Sequence, residues 1–175
     1  MEFHAKTEID TFVLHDAILV AADMQGGDLT LVFECVIING AKTARSSSHR
    51  ANPCNPGEDQ YAEPNFSLTF HNCEIRSLLR GGCWRHNVQV IPSVYLPENQ
   101  YLPVLQDHAR AESQVYHPEI SEDGLFHLDL WGGSDINYDV LTLAYTSFTA
   151  RWERFGRVHV PYRAKDGEAP CPVSS

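Results

Sequence analysis

Apolar and polar residues alternate along most of this chain, and the period of two is that of β-strands. Residues 11–24 read as one strand, and Gln25-Gly26-Gly27-Asp28 then turns the chain. Residues 29–38, LTLVFECVII, read as the returning strand, with Leu29, Leu31, Phe33, Cys35 and Ile37 on one face. Two alternating runs joined through Gly-Gly-Asp predict a β-hairpin. The alternation resumes at residues 66–75, FSLTFHNCEI, with Phe66, Leu68 and Phe70 together. Residues 84–96 predict a further strand, and Pro92 marks it as an edge or a bulge. Residues 114–120 and 125–131 predict a second hairpin around Gly124. Residues 140–153 form the longest alternating run, and a last strand is expected at 157–162.

Two segments depart from this pattern. Residues 39–65 are rich in Ser, Asn, Pro and Gly, which predicts a long loop, unusual inside a compact domain. Residues 101–112 carry helical spacing, with Leu102, Leu105 and Ala109 on one side and Pro103 near the start. The expected fold is therefore mainly β: an antiparallel, hairpin-built sheet folded as a sandwich or open barrel, with at most one or two short helices. The whole is read as one domain over residues 1–163, with a flexible tail at 164–175.

The 43% hydrophobic content supplies a core without disulfides. No run of eighteen apolar residues exists, and MEFHAKTEID lacks a secretory pattern, so a soluble, cytoplasmic protein is expected. Five cysteines without CxxC spacing give no disulfide framework; Cys35 and Cys73 are read as small buried hydrophobes. The net charge is −10, and residues 98–139 hold nine acids against Arg110 alone. That balance opposes nucleic-acid binding and suits a basic partner. The arginines of RWERFGRVHV are expected to pair with this acidic segment.

The chain carries few motifs of known chemistry. A hydrolase elbow and a phosphate-cradling glycine loop are both absent from the sequence. DINYD begins like a calcium loop but puts Val140 where the turn glycine belongs. The best ligand set uses strand alternation. His71 and Cys73 would share one face, His127 and Asp129 another, and adjacent strands would let four zinc-type ligands converge. His15-Asp16 looks like a catalytic pair, but in a strand the two side chains point to opposite faces. Asp16 is better read as a local hydrogen-bond anchor. Trp84, Trp131 and Trp152 are read as core or rim residues.

Leu14-His15-Asp16-Ala17, then a hairpin carrying Leu29, Leu31 and Phe33, resembles a group of small bacterial domains that open with an HD(S/A) strand. Leu68-Thr69-Phe70 and the run from Ser147 to Glu153 extend the likeness. Some of those domains resemble immunity proteins of polymorphic toxin systems, and no catalytic residues come with the resemblance. The acidic segment 98–139 motivates the first reading, a non-catalytic binding domain, immunity-like or another protein-interaction module. Its acidic face would comprise Glu119, Glu122, Asp123, Asp135 and Asp139, would need no cofactor, and would meet a basic protein rather than nucleic acid or membrane. Two alternatives stay open: a small-molecule- or zinc-binding β domain, enzymatic or not, by way of His71, Cys73, His127 and Asp129, and a self-assembling structural subunit.

Overall fold

The chain enters through β1 (Glu2–Ala5), one turn of 3-10 helix (Glu8–Thr11) and a two-residue strand, β2 (Phe12–Val13). This computed structural model describes residues 2–6, 8–43, 58–81, 84–85, 88–89, 92–133 and 137–159. The first expected strand is thus broken. His15 and Asp16 form a turn, with Asp16 at φ 65°, and the regular strand β3 (Ile18–Gln25) starts only after it. β4 (Asp28–Glu34) follows. The β3–β4 turn is as expected, and its chemistry is visible: Gly26 and Gly27 take φ of 60° and 90°, the two positive values that a tight I′ hairpin requires. Leu29, Leu31 and Phe33 are fully buried on one face. The returning strand stops early, because Cys35 adopts φ 62° and turns out to solvent. Cys35 is therefore not a buried hydrophobe, and β5 (Ile37–Ile38) belongs to a different sheet.

A four-residue helix, α1 (Gly40–Thr43), and β6 (Gln60–Glu63) occupy the ends of the expected long loop; residues 44–57 lie outside the described residues. β7 (Phe66–His71) and β8 (Glu74–Arg80) come next, then three two-residue strands, β9 (Trp84–Arg85), β10 (Val88–Gln89) and β11 (Val94–Tyr95). The single strand expected over 84–96 is thus in pieces, and β11 is the edge of its sheet, where Pro92 pointed. Helix α2 (Tyr101–Arg110) forms where helical spacing predicted it and buries Leu105, His108 and Ala109. The remaining strands are β12 (Gln114–Ile120), β13 (Phe126–Gly132), β14 (Asn137–Ala144), β15 (Ser147–Arg151) and β16 (Arg154–Val158). The last strand begins earlier than expected, and the tail lies outside the described residues.

Ten strands form one antiparallel sheet in the order β1-β15-β7-β4-β3-β12-β13-β14-β8-β11, and β16-β6-β5-β2 form a smaller one. The large sheet folds over itself at a corner. Ser147 pairs with His71 on one side of the corner, and Ala144 pairs with Glu74 on the other. β7–β8 and β14–β15 are therefore two long runs that bend together at Asn72-Cys73 and Tyr145-Thr146. Asn72, at φ 47°, makes the bend and donates its backbone N–H to Asp28 (2.9 Å), while Thr146 N donates to His71 O (3.0 Å). The bend brings β7 over β13, so Phe70 meets Phe126 at 5.1 Å across the interior. Phe66, Leu68 and Phe70 are all fully buried, as their alternation predicted; full burial of each is worth about 1.5–3 kcal/mol.

The two layers also join where β3 meets β12, through Leu19 N to Ser113 O (2.9 Å) and Val115 N to Ala17 O (2.8 Å). The strand order nevertheless ends at β1 and β11 and does not close, which matches the expected sandwich or open barrel. Helix α2 packs on β3, β13 and β8, beside the join.

Candidate partner-binding surface

The four residues expected to hold zinc do not converge. β7 ends at His71, so Cys73 falls in the corner turn rather than on the same strand face. β7 and β13 are separated in the sheet by β4, β3 and β12. Each residue is used locally instead. His71 bonds Asp28 and Thr149, and His127 Nδ1 meets Thr142 Oγ1 at 3.1 Å. Asp129 accepts the Tyr138 hydroxyl. Cys73 is buried, and burial with the nearby Asp28 and Glu74 charges pushes its thiol up to about 12, far from a metal-binding thiolate. Among the described residues, no three His, Cys, Asp or Glu side chains are grouped to hold a metal.

The acidic face divides as well. Glu119, Glu122 and Asp123 are exposed along the β12–β13 hairpin. Asp135 lies outside the described residues. Asp139 is fully buried, so it cannot belong to a docking face. It points inward with Leu141 and Leu143 and accepts Arg80 Nε (3.1 Å), Arg80 Nη2 (2.9 Å) and a bond with His108 Nε2 (2.9 Å). His108 Nδ1 in turn meets Ser113 Oγ (2.8 Å), which accepts the Gly133 N–H (2.8 Å). Burial alone would raise the Asp139 carboxyl; the bonds from His108 and Arg80 outweigh it and hold the carboxyl below its usual range. Ser113, His108 and Asp139 make a Ser-His-Asp chain, but Ser113 and His108 are only 1% exposed. A substrate cannot reach that serine, and the chain works as a lock between α2, the strands β8 and β14, and the residues flanking β12 and β13.

His15 and Asp16 are both exposed, and in their turn they face one another at 3.8 Å. They are not split across the faces of a strand as expected, because no strand runs through them. Asp16 does act as an anchor: its carboxylate accepts the Gln114 side-chain amide (3.0 Å) and its backbone N donates to Val115 O (2.9 Å). The arginines of the C-terminal strands find partners outside the acidic segment. Arg151 pairs with Glu2 and Arg154 with Glu63, while Arg157 lies over the Tyr61 ring.

An unexpected feature is aromatic. Trp152 is core, but Trp131 is 50% exposed. It pairs across the strands with Tyr138, itself 40% exposed, and its ring lies 6.3 Å from that of Tyr116. The next row along the same outer face carries Tyr116, Asp129, Val140, Leu79 and Tyr95 on successive strands. Tyr138 donates to Asp129 from within the face; partial burial, with that bond and the Asp129 charge, pushes its hydroxyl up to about 12.

Beyond Tyr116 the strand bulges before Glu119, with His117 at φ 44°. The bulge places the His117 ring 5.9 Å and the Tyr116 ring 5.4 Å from that of His15. On its other side it helps to line a cavity of about 270 Å³ with Ile9, Phe12, Leu14, Ile120, Asp10 and Glu119. Bulges and positive φ at non-glycine residues tend to gather at sites where a side chain is re-aimed for use. Here Asp16 and His117 supply two such residues beside one aromatic, acid-edged surface. Sequence alternation held a signal for it: Trp131 and Asp129 fall on the face opposite Leu128 and Leu130. Comparison with protein-family models, curated proteins and solved structures returns no match for this chain.

Proposed function

We propose that the protein is a non-enzymatic binding domain that docks a basic protein partner on the outer face of β12–β13–β14. One observation carries the reading: Trp131 stands half exposed between Tyr116 and Tyr138, with Glu119, Glu122 and Asp123 exposed on the same hairpin. Exposed contiguous aromatic surface on a folded domain marks an interaction site more often than chance exposure. Trp and Tyr act as interface anchors because a rigid ring buries much area at little entropic cost. The carboxylates toward the turn end of the hairpin add little affinity but select a basic partner and speed its approach. The resemblance to immunity-like domains agrees with such a role.

A photo-crosslinking residue at Val140, beside the aromatic row, tests this in cells. The expected product is an adduct with one basic protein. The purified pair should then lose at least ~2 kcal/mol of affinity on Trp131→Ala. Glu119→Gln, Glu122→Gln and Asp123→Asn together should slow association and flatten its salt dependence. An acidic partner, unchanged affinity of Trp131→Ala, or adducts solely with a second copy of this chain would overturn the reading; the last result would favour self-assembly.

A further inference from the structure

On the other layer, a row of side chains crosses four strands of the polar outer face. Asp28 Oδ2 lies 2.8 Å from His71 Nδ1, His71 Nε2 lies 2.7 Å from Thr149 Oγ1, and Thr149 Oγ1 lies 2.8 Å from His4 Nδ1. His4 Nε2 then meets Glu2 Oε1, and Glu2 Oε2 accepts Arg151 Nε at 3.0 Å. We infer that this row is a relay holding one proton in excess of two neutral histidines, and that the proton clasps the edge strand β1 onto the sheet.

Four contacts join Asp28, His71, Thr149, His4 and Glu2, and each needs one hydrogen. The ionised carboxylates at the two ends only accept. Both are favoured in that form: the His71 bond and the Asn72 N–H hold Asp28 below the usual carboxylate range. Glu2, raised by desolvation, is lowered further by its bonds from Arg151 and His4. Two neutral imidazoles and one hydroxyl supply three hydrogens, so the fourth must come from a protonated histidine.

Two arrangements satisfy all four contacts. In one, a His71 imidazolium donates to Asp28 and Thr149, the Thr149 hydroxyl donates to His4 Nδ1, and His4 donates to Glu2. In the other, His71 donates to Asp28 and accepts the hydroxyl, and a His4 imidazolium donates to Thr149 and Glu2. The excess proton passes between them when Thr149 takes a proton from one ring as it gives its own to the other. With both rings protonated, Thr149 would accept from each and its own hydrogen would be stranded, because that residue is only 3% exposed.

Charge favours the same occupancy. The charged groups within the row are Asp28 from β4, Glu2 from β1 and Arg151 from β15; Glu153 lines the same groove as Glu2 and Arg151, while Ser67 and Thr69 of β7 are neutral. On β3, Asp23 is held by Gln25. One imidazolium balances two carboxylates and one guanidinium. Losing it removes one bond from the row and leaves a net negative charge. The strand that depends on the row is β1, a four-residue strand paired, among the described residues, with β15 alone.

Nitrogen-detected NMR of the imidazole rings between about pH 5 and 8, with hydrogen exchange of the β1 amides, tests the relay. In the unaltered protein, His4 and His71 should titrate as a coupled pair whose summed protonation pauses at one. β1 protection, corrected for intrinsic exchange, should fall on the order of tenfold once that proton is lost, the worth of one charge-assisted hydrogen bond. His4→Gln changes an exposed side chain outside the core; in it His71 should titrate in a single step and β1 protection should lose its pH dependence. Thr149→Val should uncouple the two rings. Independent single-step titrations in the unaltered protein, or the same β1 profile in His4→Gln, would overturn the inference.

Discussion

Asp139→Asn removes one negative charge from a site that is fully buried and leaves the shape of the side chain nearly unchanged. Three donor hydrogens converge on Asp139, two from Arg80 and one from His108, and an asparagine oxygen cannot serve them all while its amide adds donors of its own. Breaking a buried ion pair by removing one partner costs about 3–5 kcal/mol. Arg80 is one-third exposed and can regain water, which places the expected loss at the lower end, about 3 kcal/mol. For a chain of this size that lowers Tm by roughly 6–12 °C.

The pH dependence carries a sign. The Asp139 carboxyl is depressed in the folded state, so its contribution is fully present above the ordinary carboxylate range and is lost as pH falls through the folded value. The gap between the unaltered protein and Asp139→Asn should therefore narrow on acidification and stay wide at neutral pH. Urea unfolding at a series of pH values measures both the size and the sign. A loss below about 1 kcal/mol, or a gap that widens towards acid, would refute the claim that Asp139 is the hub of the lock.

Gly132→Ala should weaken the same lock from its other end, since an added Cβ would sit 2.3 Å from Ser113 Oγ at φ +142°; thermal unfolding should show a clear drop. Gly27→Ala meets no atom within 4 Å, so its cost should be only the left-handed backbone, about 1–2 kcal/mol by denaturant unfolding. Brief alkylation of the native protein at neutral pH, followed by peptide mass mapping, should label exposed Cys35 and spare Cys73, whose buried thiol is pushed up to about 12. Trp131→Ala should change unfolding free energy by less than about 1 kcal/mol, because half of the ring is already in water.

Local pattern determined a good deal of this molecule. A period of two separates Leu29, Leu31 and Phe33, or Phe66, Leu68 and Phe70, from their polar neighbours whatever the strands pair with. Gly26-Gly27 makes its turn because only backbone without a Cβ takes two positive φ values at little cost. Helix α2 follows from the spacing of Leu105 and Ala109. These are properties of a few consecutive residues, and sequence records them directly.

Pattern also misled where one residue interrupts a long run. Asp16, Cys35 and Asn72 take positive φ and break three apparent strands, and nothing in the alternation distinguishes an uninterrupted strand from one bent at a single residue. The candidate surface depended on the same missing information. Alternation places Trp131 and Asp139 on faces, but it does not say which face another layer covers. The sheet folds at Asn72-Cys73 and Tyr145-Thr146, so Asp139 is sealed beneath α2 and Trp131 stays in solvent. The lock joins residues up to 59 positions apart, and the histidine relay joins His4 to Thr149 across 145. Residue types and their faces were local facts; which faces are buried, and which distant side chains share a proton or a charge, was decided by how the sheet bends and pairs.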